Sequence, residues 1–335
     1  MGPVSTIGGQ AASAPLKTRG FSGFFPVNLE LLPLDLTLDF GLYVSAPQAG
    51  RVLFAAPNDP PDKSTRRRLI KNKVPLFALT EDREKYRLLL EEHLRQMIQN
   101  PGVDDTSAAH LAYHLSLHTM ETVFDQPTPE NLSAAEEAIK DTADLIMSRD
   151  QALFALLEMT RRDDSHYIHS CNVAMLGLGL AKTLINVGHD LNLHAIAAAL
   201  LFHDLGKIPV GFEILNKSET LTAEEWDRIR EHPRLGYEMI QQSQMATEEA
   251  RLVLLQHHER LDGSGYPLGL RGGQVHLFGR ICAIADVFDA MTSSRPYKDH
   301  LSSFEAALGI RDQMSGQLDQ KLVTLFITMF LKRTA

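Results

Sequence analysis

Hydrophobic and polar residues follow two different periods along the chain, and the change of period divides it into two kinds of structure. Between residues 24 and 77, short apolar runs bounded by Pro, Gly, Asn and Asp predict strands in FFPVNLELL, LDLTLDFGLYVSA, GRVLFAA and VPLFAL. From Glu81 onward, apolar residues recur at helical spacing, and no segment after Gln126 has a strand pattern. The chain is therefore predicted to be mainly α, with a helical bundle preceded by a small β-rich (α+β) N-terminal module.

Capping residues, prolines and glycines allow the helix ends to be predicted. Helices are expected over residues 81–99, 105–124, 131–148, 150–162, 166–187, 191–204, 222–243, 246–258, 279–293, 302–315 and 319–332. Pro233 should kink or interrupt the helix that contains it. The Pro-rich segment 125–129 is the best candidate boundary. We therefore expect a flexible tail over 1–23, a β-rich regulatory module with helices over 24–126, and a helical domain over 127–335.

One apolar helix is predicted to carry a His-Asp pair into the protein interior. Ala195–Phe202 is apolar without a break, which is typical of a helix that is buried on nearly all sides. His203 and Asp204 follow at its end. An ionised carboxylate in such a place costs several kcal/mol unless a cation accompanies it. A bound metal ion is the simplest physical explanation.

Further His and Asp residues extend this pair to a set that could hold two ions. Five histidines and two aspartates lie in the helical region at intervals of 25 to 34 residues, about the length of a helical hairpin: His169, His203, Asp204, His232, His257, His258 and Asp286. Imidazole and carboxylate groups suit divalent iron, manganese or zinc. Seven ligands exceed the needs of one ion, so we expect two ions bridged by Asp204. Asp286 supports this hypothesis, because the surrounding segment RICAIADVF offers its charge no obvious partner.

Such a pair of ions would define the reaction class. The residual positive charge would attract a phosphodiester, and the ions would polarise a phosphoryl oxygen and activate water near neutral pH. Lys207 lies one turn beyond Asp204 and could neutralise charge on the phosphate or on the leaving oxygen. We therefore predict metal-dependent phosphodiester hydrolysis, with Asp204 and Lys207 as catalytic residues.

The segments HDLGK, HHERLDGSGYP and RICAIADVFDAMTSSRPYK resemble the motifs of the HD-GYP family, a subgroup of the HD superfamily of metal-dependent phosphohydrolases. The resemblance covers about residues 130–330 and implies an all-helical HD-type fold with a binuclear centre, often of iron or manganese, with zinc, nickel or cobalt as alternatives. It implies hydrolysis of the bacterial second messenger cyclic di-GMP to linear pGpG and, in some members, to GMP. Cyclic di-GMP is thus the expected partner.

The resemblance also assigns a role to each matching residue. One metal would be held by His169, His203, Asp204 and Asp286. The other would be held by Asp204, His232, His257 and His258. Some family members hold a third metal through a glutamate one turn before the first histidine. Here that position is Ser165, so two metals are expected, although Asp163, Asp164 or His166 could substitute.

Substrate contacts follow from the same resemblance. Lys207 would face the substrate, and the loop that names the family corresponds to Asp262, Gly263, Gly265, Tyr266 and Pro267. Tyr266 offers a ring for a guanine and a hydroxyl for a phosphate. Arg295 and Lys298 match basic residues that contact the phosphate or base, and Asp289 would anchor Arg295 or a guanine edge.

Composition narrows the cellular setting. The 335 residues carry a net charge of −9, which argues against long nucleic acid as a ligand. Cys171 and Cys282 lie in apolar helical patterns and are expected to be buried thiols in a reducing compartment. No apolar run is long enough to predict a membrane span, and no signal pattern opens the chain, so a cytoplasmic location is expected. The basic residues Arg66–Arg68 are expected on a solvated face of the β-rich module.

Two alternatives to the enzyme hypothesis stay open. The chain could be a catalytically weak receptor that binds cyclic di-GMP and signals to a partner. It could also be an HD phosphohydrolase that acts on another cyclic dinucleotide or on a nucleotide, because loop geometry rather than the metals selects the base. The N-terminal module could mediate a homodimer or contact a signalling partner.

Overall fold

The computed structural model describes residues 23–33, 37–46, 50–59, 61–100, 102–160, 165–217, 219–241, 245–293 and 301–331. The chain divides into two compact units, residues 1–86 and 87–335. Several predictions fall outside the described residues, namely most of the flexible tail and the roles given to Asp163, Asp164, Arg295 and Lys298.

The first unit contains the predicted β-rich module as a four-stranded antiparallel sheet. Its strands are β1 (Phe24–Val27), β2 (Leu42–Ala46), β3 (Gly50–Ala55) and β4 (Leu76–Leu79). They lie in the order β1-β4-β2-β3, with Phe24 opposite Leu79 and Tyr43 opposite Phe77. Apolar side chains such as Phe25 form its core. The prediction of strands in this region is confirmed.

The basic segment of this unit is a helix that the sequence analysis did not predict. Helix α1 (Lys63–Lys71) begins after Asp62, whose carboxylate accepts hydrogen bonds from the N–H groups of the second and third residues after it. Arg67 and Arg68 are exposed. Arg66 is only 2% exposed and donates to the carbonyl oxygens of Leu32 and Pro33. The solvated face predicted for Arg66 is therefore wrong, because the helical period turns this residue inward.

The second unit is built from helices, with α2 starting in the first unit and continuing into the second. The helices are α2 (Arg83–Gln99), α3 (Asp105–Asp125), α4 (Pro129–Ser148), α5 (Asp150–Met159), α6 (His166–Asn186), α7 (Leu193–Leu201), α8 (Lys207–Val210), α9 (Phe212–Leu215), α10 (Ala223–Arg230), α11 (His232–Ile240), α12 (Glu248–Gln256), α13 (Leu277–Thr292), α14 (Ser303–Leu308) and α15 (Gln320–Leu331). A π-helical segment, Gly309–Gln313, follows α14. The mainly helical fold is as predicted.

Two details of the helical prediction bear on the site. The described part of the predicted helix 222–243 forms two helices, α10 and α11, and Pro233 lies in the first turn of α11, so the predicted interruption is confirmed. The boundary predicted at Gln126/Pro127 lies inside the second unit. This difference arises because α3 packs against α4, α5 and α6, which joins it to the helices that follow.

Helix α6 lies at the centre of the second unit and contacts α3, α7, α13 and α15. By length and composition it could cross a membrane, but 83% of its most apolar window is buried inside the structure. Its apolar surface is thus covered by other helices of the same chain. The buried helix fixes the position of His169 in its first turn.

Candidate metal centre

The seven predicted ligands come from five places in the helical unit and meet at one point. Helix α6 carries His169, and the turn after α7 carries His203 and Asp204. Helix α11 begins at His232, His257 and His258 follow α12, and α13 carries Asp286. Gly206 allows this convergence, because a Cβ at its position would clash with the backbone of His232 and Gly236 in α11.

Asp204 is common to two groups of candidate ligands. The donor atoms of His169, His203 and Asp204 lie within 4.8 Å of one another, and so do those of Asp204, His232, His257 and His258. One carboxylate oxygen, Oδ2, is 3.3 Å from Nε2 of both His169 and His203. The other, Oδ1, is 3.3 Å from Nε2 of His232. Asp204 therefore belongs to both groups, and its role as a bridge between two ions stays a prediction.

Asp286 completes the cluster. Its Oδ1 atom lies 3.2 Å from Nε2 of His169, and its Oδ2 atom lies 3.7 Å from Nδ1 of His258. Its carboxylate thus approaches one histidine of each group.

Hydrogen bonds to the backbone fix the tautomers of three histidines. The Nδ1 atoms of His203, His232 and His257 each lie 2.7–2.9 Å from a carbonyl oxygen of the preceding turn. Because a carbonyl can only accept, Nδ1 carries the proton, and in the neutral ring Nε2 presents a lone pair. The Nε2 atoms of His232 and His257 are only 3.0 Å apart. Two lone pairs this close repel each other unless a cation lies against them.

Protonation states follow from burial and neighbouring charge. Burial lowers the pKa of His232 to about 4 and that of His258 to about 3, and it holds the pKa of His257 well below its ordinary value. These rings are therefore neutral near pH 7, which is the form that binds metals. Burial alone would raise the pKa of Asp204, but the charge of Lys207 outweighs it, together with His203, and holds that pKa well below its ordinary value.

These observations test whether the cluster suits a divalent metal. Among the described residues, His203 Nε2 and Asp204 Oδ1 are buried and make no hydrogen bond. Leaving such atoms unpaired is costly, and both are candidate ligand atoms. Neutral imidazole nitrogens and ionised carboxylates form a donor set for divalent iron, manganese or zinc. The residues present therefore fit a divalent metal centre.

The loop after His258 is tied to the site through Glu259, a residue whose role the sequence analysis missed. Its carboxylate is 2% exposed and accepts hydrogen bonds from the backbone N–H groups of Leu268, Gly269 and Leu270, at 2.6, 3.1 and 2.8 Å. The burial of Glu259 shows that His258-Glu259 is not an exposed helix end. In the sequence, the only sign of this role is the position of Glu259 directly after the two histidines.

Two glycines and a tyrosine shape the rest of this loop. Gly263 has a φ of +80°, and a Cβ at Gly265 would lie 2.5 Å from both Glu259 Cα and His258 O. The close passage of the chain places Tyr266 on the ring of His258, with 4.7 Å between ring centroids. The guanidinium of Arg230 lies 5.8 Å from the same tyrosine ring. Tyr266 therefore lies beside the candidate ligand His258, and its predicted contact with substrate stays a prediction.

Two predicted substrate contacts have other partners in the structure. Asp262 is exposed, and its carboxylate accepts from the N–H and hydroxyl of Ser264, so it shapes the loop. Asp289 is 2% exposed and accepts from His169, Asn172 and Ser293. Both of its oxygens are thus used inside the protein, and it lies behind His169. The predicted contact of Asp289 with a guanine edge is corrected on this ground.

Lys207 pairs with the bridging residue. Its Nζ atom donates to Asp204 Oδ2 at 2.5 Å, and its side chain is 18% exposed.

Ser165 is the N-cap of α6, and the ring of His166 lies 5.6 Å from that of Phe212. The expectation of two rather than three metals stays a prediction.

Comparisons with known proteins agree with this geometry. A family model described as HD domain matches residues 137–322. A cyclic di-GMP phosphodiesterase of Pseudomonas aeruginosa is 35% identical over 193 residues, which cover 58% of this chain and 46% of the relative. A 3'3'-cGAMP-specific phosphodiesterase of Vibrio cholerae is 39% identical over 164 residues, which cover 48% of this chain and 36% of the relative. The solved structure of an HDG"Y"P protein from Bdellovibrio bacteriovorus superposes with a TM-score of 0.67 at 20% identity, covering 92% of this chain and 99% of that one.

The chain therefore belongs to the HD domain family. The HD-GYP resemblance drawn from its motifs is confirmed, and the solved structure supports the fold of a helical domain with a small β module. The matched stretches span less than half the length of these two curated relatives.

Proposed function

We propose that this protein is a metal-dependent phosphodiesterase that hydrolyses cyclic di-GMP to linear pGpG, with GMP as a further product. The observation that carries the proposal is the sharing of Asp204 between two groups of histidines, in one of which the neutral His232 and His257 bring their Nε2 atoms within 3.0 Å of each other. The similarity to a cyclic di-GMP phosphodiesterase supports the choice of substrate.

We further propose two divalent ions, iron or manganese, with zinc, nickel and cobalt as alternatives. One would be held by His169, His203, Asp204 and Asp286. The other would be held by Asp204, His232, His257 and His258. When bound, the ions would act as Lewis acids on a phosphoryl oxygen and would make a water molecule a better nucleophile near pH 7.

The chain's own residues supply positioning and charge. Lys207 lies against the bridging carboxylate and can donate to a phosphate oxygen that enters beside it. Tyr266 presents an apolar ring next to His258 on which a guanine could stack. Arg295 and Lys298 are proposed as further substrate contacts from the motif alone. The N-terminal unit would act as a regulatory module, through a homodimer or a signalling partner, in a cytoplasmic protein.

The test is direct measurement of product and metal in the same sample. The protein is purified anaerobically with iron or manganese, its metal content is measured, and linear pGpG is separated by chromatography after incubation with cyclic di-GMP. Lys207→Met removes the ammonium group and should lower kcat, while the control Lys217→Met breaks an ion pair with Glu225 away from the cluster and should not. Absence of linear product with every metal would reject the proposal.

A second candidate substrate is 3'3'-cGAMP, which one relative's name favours. Competition between the two cyclic dinucleotides in one reaction distinguishes the candidates through their ratio of kcat/KM. A receptor without catalysis would instead bind cyclic di-GMP tightly and release no product.

A further inference from the structure

Three hydrogen bonds, two of them fully buried, connect helix α3 to the candidate metal centre. The hydroxyl of Tyr113 in α3 donates to Oδ1 of Asn172 at 2.7 Å, and Nδ2 of Asn172 donates to Oδ1 of Asp289 at 2.8 Å. Nδ1 of His169 donates to the other oxygen of Asp289 at 2.7 Å. Tyr113, Asn172 and Asp289 are each no more than 2% exposed. The bonds form a continuous path from α3 to a predicted ligand.

The donors and acceptors along this path allow one orientation of the amide. A carboxylate only accepts, so Asn172 must turn its NH₂ group toward Asp289 and its oxygen toward Tyr113. The tyrosine hydroxyl satisfies that oxygen. A flipped amide would place oxygen against a carboxylate, which is repulsive in a buried site. Tyr113 therefore helps to hold the amide, and the amide holds the carboxylate.

The carboxylate in turn determines the state of His169. Because Asp289 accepts from Nδ1, a proton lies on Nδ1, and Nε2 is the ring nitrogen left to bind a metal. Nε2 is the atom that faces the carboxylates of Asp204 and Asp286, at 3.3 and 3.2 Å. The orientation that a metal ligand requires is thus set by a path that begins in α3.

We propose that Tyr113 is a positioning residue of the metal centre, which acts through Asn172 and Asp289 to hold His169 as an Nε2 ligand. The inference rests on the proposed role of His169 in metal binding. Helix α3 lies before the residues 137–322 that match the family model. The proposal therefore assigns part of the metal centre's support to a helix outside the matched region, packed directly on α6.

The size of the effect follows from the number of bonds between the change and the ligand. Loss of an outer partner of a metal ligand weakens metal binding by about 10- to 100-fold. Asn172→Ala removes the donor to Asp289 and should fall in this range. Tyr113→Phe removes one oxygen atom one step further away, so we expect about tenfold weaker binding.

The experiment titrates Co²⁺ into the metal-free full-length protein and follows its visible absorption, which reports ligand number and geometry. Wild type is compared with Tyr113→Phe, Asn172→Ala and the double variant. The control is Ser116→Ala, which removes a buried hydroxyl of the same helix. Among the described residues, this hydroxyl donates only to the carbonyl of Ala112, at 3.0 Å. Thermal unfolding of each metal-free protein is measured in parallel, so that lost stability is separated from lost affinity.

The expected result is weaker Co²⁺ binding and a changed spectrum for Tyr113→Phe, with Ser116→Ala like wild type. Tyr113→Phe should add nothing in the Asn172→Ala background, because its effect passes through that amide. Wild-type affinity and spectrum in Tyr113→Phe, or additive effects in the double variant, would overturn the proposal. If Tyr113→Phe does not fold, Asn172→Ala decides. Wild-type Co²⁺ affinity and spectrum in that variant would overturn the proposal, because the path from Tyr113 to His169 runs through this amide. Because the Co²⁺ titration needs no substrate, a failed phosphodiesterase assay does not overturn the proposal about Tyr113.

Discussion

Gly265 is the position where the smallest change should have a large and interpretable effect. A Cβ at this residue would lie 2.5 Å from Glu259 Cα and from His258 O, both of them backbone atoms. Ordinary van der Waals contacts of such atoms begin at 3.4 Å. Gly265→Ala therefore forces the two chain segments apart by about 0.9 Å, and overpacking of this kind costs about 1–3 kcal/mol.

The structure indicates which of the two segments moves. His257 and Glu259 are 0% and 2% exposed, whereas the loop residue Leu268 is 57% exposed. The loop should therefore yield, and Tyr266 should shift by about 1 Å on the ring of His258 while the ligands stay in place. A misplacement of about 1 Å can cost about 100-fold in rate. We expect the variant to retain its metal and to lose up to about 100-fold in kcat/KM.

The assay combines metal analysis, thermal unfolding and turnover of cyclic di-GMP. Gly273→Ala is the matched control, because a Cβ there meets no atom within 4 Å. It should leave all three measurements unchanged. The reasoning is refuted if Gly265→Ala has wild-type stability and turnover, which would mean that the contact relaxes freely. Loss of metal with an intact loop would show that the ligand segment moved instead.

Three further predictions follow from the site. Asp204→Ala should lose both ions, which elemental analysis checks, and full metal content would contradict its bridging role. Glu259→Gln should lower the free energy of unfolding by about 1.5–3 kcal/mol in urea, because three N–H groups lose a charged acceptor. An unchanged midpoint would count against this role. The metal-free protein should lose stability as the pH falls from 6.5 toward 4, because the unfolded chain takes up a proton near 6.5 while folded His232, with a pKa of about 4, does not. Urea midpoints across that range give the slope, and a flat profile would contradict it.

Three of the candidate ligands could be predicted from sequence because each of them carries a local signal. His203 and Asp204 end an unbroken apolar helix, and Asp286 interrupts another, so the apolar pattern alone indicates that their polar groups are buried. Convergence is inferred from intervals that match helical hairpins. The structure brings all seven residues together, as the spacing and the family resemblance predicted.

The supporting contacts could not be predicted in the same way. Asp289 resembles a substrate contact because it follows the ligand Asp286 in the motif, yet one helical turn places it behind His169. The path through Tyr113 depends on the packing of α3 against α6, and no sequence period records that pairing.

The order of the ligands along the chain has a consequence for synthesis in the cell. The ligand nearest the N-terminus is His169, and the last one needed is Asp286, on a helix that pairs with α6. A ribosome must therefore release nearly the whole helical unit before the cluster can close. Until then the early histidines remain open to any ion that the surroundings supply. Metal selection would therefore depend on the supply of ions when the cluster closes as well as on the ligands themselves.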